Sequence, residues 1–389
     1  MIDGDRSQAS VVQMSAENAV ADGSASLPGD LPSYSQGPLT VSVVVPVYNG
    51  GPAFARCLDN LLAAQPAPDE IIVVDDGSTD GSDRVASRPG ITLLRTGRCQ
   101  GPAAARNLGA SVARGDLFFF VDADVLVPSS VLDMILPCFS SPADAVIGSY
   151  DDRPAAPNFL SQYKNLLHHY VHQNASEEGF TFWSGCGVIR RRVFQRHGGF
   201  DERYGQPSIE DIELGYRLRA AGHCIRVCKQ LQVKHCKRWN PVSLFRSDFF
   251  GRALPWTALI LQTGRMHNDL NISRINRVRI ALACLLLPLL AATVWWPPAL
   301  AGVCCLILAL LALDFPVIRF FHRKRGLLFA VKTVPWHWFS HVYSGAAFAT
   351  GLARHLLCRR WAGCASRRNP SSNPLVATPA VEGRWRLTP

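Results

Sequence analysis

The first forty residues lack any apolar run that could form the core of a signal peptide. They are rich in Ala, Ser, Gly and Asp, which predicts a disordered tail over 1–38. The 12 cysteines lack the spacing of a secreted disulfide framework. Several, such as Cys284, Cys304 and Cys305, sit inside apolar runs, where cysteine is a small hydrophobe. Reduced thiols facing a cytosol are expected. Cys224, Cys228, His235 and Cys236 do not have the spacing of a standard zinc site. Acid is in deficit, with 30 Asp and Glu against 40 Lys and Arg, for a formal net charge of +10. Such a balance favours anionic partners. No nucleic-acid recognition module accompanies it, and the basic residues cluster beside apolar runs instead. Nucleic acid is therefore not expected as a partner, and membrane lipid is.

From Val41 onward, short continuous apolar runs alternate with helical spacing. Val41 to Val45, Ile71 to Val74, Ile91 to Leu94 and Leu117 to Val121 read as buried strands, the first stopped by Pro46. Phe54–Ala64 and Pro102–Ala113 read as helices between them. This predicts an α/β fold, a mostly parallel twisted sheet with helices on both faces. Ligands of such sheets sit at the carboxyl ends of the strands. Those ends carry Asp75-Asp76 and Asp122-Ala123-Asp124. A D-x-D pair presents oxygen ligands to a hard divalent cation, although the same pair can merely cap a turn. Glu210 and Asp211 open a further helix, where the dipole favours carboxylates.

Two long runs nearly free of charge follow, Val278 to Trp296 and Pro298 to Ile318, with Asp314 near the end of the second. Each is long enough to span a bilayer. Arginines precede the first and Arg319, Arg323, Lys324 and Arg325 follow the second, so both ends are expected in the cytoplasm, joined by a Trp-Trp-Pro-Pro hairpin. A weaker third run, Trp336 to Leu357, is expected to span, to re-enter or to lie in the interface. His168 and His172 are expected as polar surface.

The segments VSVVVPVYNG, EIIVVDDGSTDGS, GPAAARNLGA, FFFVDADVLVP, WSGCGVIRRRVF, GGFDE and EDIELGYRLRAAG come in an order and spacing that resembles the family 2 glycosyltransferases of the GT-A fold. The resemblance covers about Leu39 to Arg238. It implies inverting transfer from a nucleotide-diphosphate sugar, aided by Mg2+ or Mn2+. Carried onto this chain, it places Pro46, Tyr48, Asn49, Asp75 and Asp76 at the base and ribose, and Arg106 near the donor. Asp124 would be the metal ligand, with Asp122 at the ribose or beside the metal. Asp211, with Glu210, would supply the general base. Trp183, Gly185, Asp201 and Glu202 would face the acceptor. His235 stands where many members keep a histidine, either an added metal ligand or a buried, hydrogen-bonded side chain. The sequence around it, HCKRW, has His where the Q-x-x-R-W motif of processive synthases has Gln.

These readings divide the chain into a tail over 1–38, a catalytic domain over 39–239 and an amphipathic interfacial linker over 240–277. A membrane region follows over 278–358, then a basic disordered tail over 359–389. The expected function is transfer of a sugar to a lipid-linked or cell-envelope glycan acceptor. It would occur at the cytoplasmic face of a multi-pass inner-membrane protein with a cytosolic catalytic domain. A processive polysaccharide synthase and a non-catalytic membrane scaffold are the competing readings.

Overall fold

The computed structural model describes residues 38–140 and 143–368, with side chains through Cys358 except that of Asn271. The N-terminal segment expected as a tail lies, apart from Pro38, outside the described residues. So does the C-terminal one beyond Arg368.

Nine strands form one mixed sheet: β1 Val41–Val47, β2 Glu70–Asp75, β3 Ile91–Arg95, β4 Leu117–Val121, β5 Val125–Leu126, β6 Ala145–Tyr150, β7 Glu178–Gly179, β8 Cys186–Arg190 and β9 Ile225–His235. Their order is β3-β2-β1-β4-β8-β6-β9-β5, with β7 also on β9. The first four are parallel, as their continuous apolar character predicts. Strand β1 runs on through Pro46, which pairs with Val74, rather than stopping there. Beyond β4 the pairing is largely antiparallel, through β8, while β6 and β9 run parallel to each other.

The helices of this part are α1 Gly51–Leu62, α2 Ser82–Ala86, α3 Pro102–Val112, α4 Val131–Ile135, α5 Phe159–Gln173, α6 Arg191–Arg196 and α7 Glu210–Ala220. The chain leaves β1 to one side through β2 and β3, then returns to its other side in β4. That reversal opens a crevice at the carboxyl ends of β1 and β4. Both faces of the sheet are covered, so strand residues alternate between two cores. Val43, Val45, Phe119 and Val121 enter one, with Phe54 and Leu58 of α1. Val44, Ile72, Phe118 and Phe120 enter the other, with Ala103 and Ala110 of α3 and Leu214 of α7. This is why Leu117-Phe118-Phe119-Phe120-Val121 is apolar at every position.

Helix α7 packs on the segment between β7 and β8 through a glycine. A Cβ on Gly215 would lie 2.4 Å from the Phe182 amide nitrogen and 2.6 Å from the Thr181 Cα. Backbone cannot move aside as a flexible side chain can. Gly215→Ala is therefore expected to destabilise the domain by about 3 kcal/mol, at the upper end of overpacking costs. It would also displace the helix that begins with Glu210 and Asp211. Denaturant titration of the variant checks the first effect.

After β9 come α8 Pro241–Asp248, a π-helical turn over Phe249–Ala253, and α9 Leu254–Thr263. Asn240 and Ser243 form a reciprocal capping box at the start of α8. Trp239, Leu244 and Trp256 are buried, whereas Phe250 is exposed. Helices α10 Arg274–Ala292 and α11 Ala299–Arg325 are long and apolar enough to cross a membrane. They make a hairpin through the Trp-Trp-Pro-Pro link, each starting or ending within seven residues of the expected run. Leu285, Leu287, Leu290, Leu308 and Trp295 are all exposed on this pair. An uncovered apolar face of this extent does not fit the core helices of a water-soluble domain and indicates membrane association. The third run lies inside α12, a continuous helix over Leu327–Arg368 packed on α9, α10 and α11. Its helical backbone continues ten residues past the expected boundary at 358, through a stretch holding helix-favouring Arg and Ala, no Pro and one Gly.

Candidate active site

The crevice at the ends of β1 and β2 is sewn together by side chains. Asn49, held at φ +52, accepts the Thr79 amide on Oδ1 at 2.8 Å, and its own amide donates to Ser78 Oγ at 2.9 Å. Asp75 caps the same turn by accepting the Ser78 amide. Tyr48 remains 53% exposed beside them, an aromatic face free for stacking. Asp76 is buried and accepts the Gln100 and Gly101 amides and the Thr96 hydroxyl. Its carboxylate thus fixes the loop that leads into α3. Gly101 sits at φ +99 with the Gly205 backbone 2.7 Å from where a Cβ would be, so the 201–208 loop closes over the start of α3.

Arg106 of α3 joins the two halves of the site. It is 4% exposed and donates to Asp122 Oδ1 at 2.8 Å and to Glu210 Oε1 at 2.9 Å. Its guanidinium also stands 5.5 Å from the Phe200 ring centre. Glu210 further accepts the Ser208 amide. The buried guanidinium pairs with two carboxylates at once, and truncating Arg106 would leave the buried Glu210 without its partner. Glu210 is thereby committed to positioning Arg106.

Strand pairing decides the surroundings of Asp122 and Asp124. Val121 opposes Cys186, so the Asp122 amide meets the Gly185 carbonyl. Val125 opposes His235, and the Cys236 amide donates to the Asp124 carbonyl at 2.8 Å. His235 Nε2 therefore lies 3.5 Å from an Asp124 carboxylate oxygen. On its other side, His235 Nδ1 is 2.7 Å from Asn165 Oδ1, and the amide oxygen can only accept, so Nδ1 carries the proton. The ring stacks on Tyr150, 4.3 Å between centres. Burial alone would raise the Asp124 carboxyl; His235 and Lys237 outweigh it and hold it below the usual range. A carboxylate kept ionised with an imidazole nitrogen 3.5 Å away suits Mn2+ or Mg2+, the carboxylate either ion and an imidazole nitrogen that yields its proton better Mn2+.

Asp211 has the opposite electrostatics. Burial, then the neighbouring Glu210, push its carboxyl up to about 6, against the lowering pull of Arg106 and Ser184. Oδ2 accepts the Ser184 amide at 3.1 Å and its hydroxyl at 3.2 Å. Two carboxylates in one crevice, one held ionised and the other poised near neutrality, are an arrangement for charge neutralisation and proton transfer.

The other expected site residues fall in two groups. Trp183 and Gly185 lie at the site: the Trp183 ring contacts Tyr150 at 4.9 Å, and a Cβ on Gly185 would be 2.8 Å from that ring. Asp201 and Glu202 lie in the loop over α3, where Asp201 pairs with Arg203 and Glu202 accepts from Asn107. The placement of His168 and His172 at the surface is corrected. They stack on each other at 4.0 Å and meet Trp183 at tilted and edge-on angles, and His172 Nδ1 bonds the Gly148 carbonyl. Burial lowers His168 well below its ordinary range and His172 to about 4, so both are neutral. Their spacing on α5 suggested a face but not that it lies under the sheet. Tyr150, Asn165 and Ser184 were missed altogether. Only Ser184, inside WSGCG, carried any sequence signal.

A family profile described as "Glycosyl transferase family 2" matches residues 42–198. Validoxylamine A glucosyltransferase of Streptomyces hygroscopicus subsp. limoneus is 31% identical over 237 residues, covering 49% of this chain and 50% of that protein. N-acetylglucosaminyl-diphospho-decaprenol L-rhamnosyltransferase of Mycobacterium tuberculosis is 28% identical over 232 residues, covering 50% of this chain and 75% of that protein. Pre-mycofactocin glycosyltransferase, also of M. tuberculosis, is 28% identical over 229 residues, with 56% and 44% covered. Two of these three are spanned by this chain over about half their length or less. Among solved structures, mannosyltransferase PcManGT from Pyrobaculum calidifontis, in complex with GDP-Man and Mn2+, superposes with a TM-score of 0.55 at 20% identity, covering 78% of this chain and 88% of that one. The profile match over residues 42–198 and the shared fold make this part of the chain similar to the family 2 glycosyltransferases of the GT-A type.

Proposed function

We propose that this protein is an inverting glycosyltransferase that moves a sugar from a nucleoside-diphosphate donor to a lipid-linked or cell-envelope glycan acceptor at the cytoplasmic membrane face. The observation that carries the reading is the pairing of an ionised Asp124 beside His235 with an Asp211 raised to about 6 in one crevice. The donor base would stack on Tyr48, while Asn49, Asp75 and Asp76 hold the loops around it in place. Asp124 and His235, with Asp122 beside them, would hold the Mg2+ or Mn2+ ion. Bound there, that ion supplies charge neutralisation for the departing diphosphate. Asp211 takes the proton of the acceptor hydroxyl, which attacks the anomeric carbon opposite the leaving group. Arg106 keeps Asp122 and Glu210 in register. Trp183 and the Gly185 backbone form the wall that the acceptor meets. The rhamnosyltransferase relative, whose name specifies a diphospho-decaprenol acceptor, supports the lipid-linked class. Screening the detergent-solubilised protein against nucleotide sugars, with release of nucleoside diphosphate as readout, tests the activity. Product NMR tests inversion, and a retained anomer would overturn it.

A base near 6 has a pH consequence. Asp211 works only when ionised, so kcat/KM should rise about tenfold per unit below pH 6 and level off above 7. Stability runs the other way. The folded-state carboxyl holds its proton to a higher pH than the unfolded 3.8, so Asp211's contribution falls as pH rises from about 4 to 6. A pH–rate profile flat between 5 and 7 would contradict the assignment.

For the membrane, α10 and α11 would form a hairpin with both ends cytoplasmic and the Trp-rich link on the far side. The reading is tested in sealed vesicles with exposed native cysteines replaced. A cysteine introduced at Pro297 should label only from the non-cytoplasmic side, and one at Lys324 only from the cytoplasmic side. Labelling of both from one side would require a monotopic anchor.

A further inference from the structure

Where α5 meets the helices α11 and α12, three ligand-type side chains converge. Asp314 of α11 is 1% exposed, and His337 and His341, one turn apart on α12, are also buried. One nitrogen or oxygen atom from each lies within 4.8 Å of the other two. Nε2 of His337 and Nε2 of His341 are buried and have no hydrogen-bond partner. A buried imidazole nitrogen left unpaired is costly, and two of them facing one carboxylate call for a shared occupant. His337 Nε2 stands 3.7 Å from Asp314 Oδ1, too far for a hydrogen bond. It is close to the roughly 3.3 Å that separates two ligand atoms around a tetrahedral ion at about 2.0–2.1 Å.

The supporting contacts fit the same occupant. His337 Nδ1 is 2.9 Å from Tyr163 Oη on α5. With the phenol as acceptor, Nδ1 carries the proton and Nε2 presents its lone pair to the cluster. Trp338 Nε1 donates to Asp314 Oδ2 at 2.9 Å and orients the carboxylate. Arg279 Nε lies 2.9 Å from Oδ1 as an ion pair, yet Oδ1 accepts no hydrogen bond and keeps its lone pairs for an ion. We propose that Asp314, His337 and His341 form a second metal site, separate from the donor crevice, that takes a Zn2+-class ion. Two imidazoles and one carboxylate select a borderline transition ion over Mg2+ or Ca2+. The ion would pin α11 to α12, and through Tyr163 would tie the helical hairpin to the glycosyltransferase domain.

The test uses the full chain in detergent, stripped with EDTA, dialysed, incubated with ZnCl2 and desalted. Elemental analysis should find about one zinc per chain in the unaltered protein and in Asp124→Asn, whose substitution lies in the donor crevice. His341→Gln should lower the zinc affinity by a hundredfold or more. Tyr163→Phe, which removes only an outer hydrogen bond, should lower it about tenfold. Co2+ in place of zinc should give the intense visible bands of a four- or five-coordinate site. Size-exclusion elution identifies any variant that misfolds, and in that case the Co2+ spectrum and zinc content of the unaltered chain decide. Zinc lost on desalting, zinc retained equally by folded His341→Gln, or the weak spectrum of six-coordinate Co2+ would each overturn the site and leave an Arg–Asp–His polar network.

Discussion

Asp211→Asn is expected to lower transfer by about a hundredfold or more while leaving donor affinity within about twofold. The amide is nearly isosteric but cannot accept the acceptor's proton, and general-base catalysis is worth that much. Donor affinity should survive because the groups expected to hold the nucleotide and its ion belong to the ends of β1, β2, β4 and β9, not to α7. The substitution has a structural side as well. Asp211 accepts the Ser184 amide and hydroxyl on one oxygen and the Ile212 amide on the other. Asn can satisfy only one of these sets with its single acceptor. Against that, it removes a charge that burial disfavours, so the net change in stability should stay within about 1 kcal/mol. Steady-state kinetics beside nucleoside-diphosphate binding separates the two effects. Equal losses in binding and turnover would assign Asp211 to the donor instead. Asp211→Asn should also abolish the acid limb of the pH–rate profile.

Asp124→Ala should reduce turnover by a comparable or larger factor, but by a different route. Here the Mn2+-dependent part of donor binding should disappear, so titration of a nucleoside diphosphate with and without Mn2+ should give the same weak affinity. Removing one preorganised source of charge stabilisation typically costs a hundred- to a thousandfold. The turn itself should hold, because its backbone bonds do not use the carboxylate. The Cys236 amide donates to the Asp124 carbonyl and the Val125 amide to the Asp122 carbonyl. His235→Asn should lose less, about tenfold, since the ion would keep its oxygen ligands while losing one nitrogen. Full Mn2+ dependence persisting in Asp124→Ala would move the ion site elsewhere.

These two variants rest on residues with very different visibility. What the sequence determined by itself was local. Continuous apolar runs such as Leu117–Val121 announce strands covered on both faces, because only a doubly covered strand needs apolar residues at every position. Asp at the ends of two of these runs, Asp75 and Asp122, announces a crevice, since strand ends are where such sheets bind ligands. The two charge-free runs with basic flanks announce helices that water does not solvate. Family resemblance then attached roles to Asp76, Asp124 and Asp211, which no spacing within this one chain could have assigned.

The tertiary structure decided everything that depends on which distant strands are neighbours. Asp124 meets His235 because β5 pairs antiparallel with β9 in one register, a pairing between segments over a hundred residues apart. Asp211 is raised because α7 buries it beside Glu210, the helix packing on the Thr181–Phe182 backbone through Gly215, a glycine with no local reason to be there. Glu210 reads as a twin of Asp211 in the sequence, yet the buried Arg106 claims it for positioning. His168 and His172 read as polar surface because imidazole is amphipathic, and only the packing of α5 under β6 shows them neutral and stacked. Asp314 looks like an interruption in an apolar run, and its partners come from α10 and α12. Burial, register and pKa are properties of what lies opposite a side chain, and a linear sequence specifies its neighbours only within a turn or a strand.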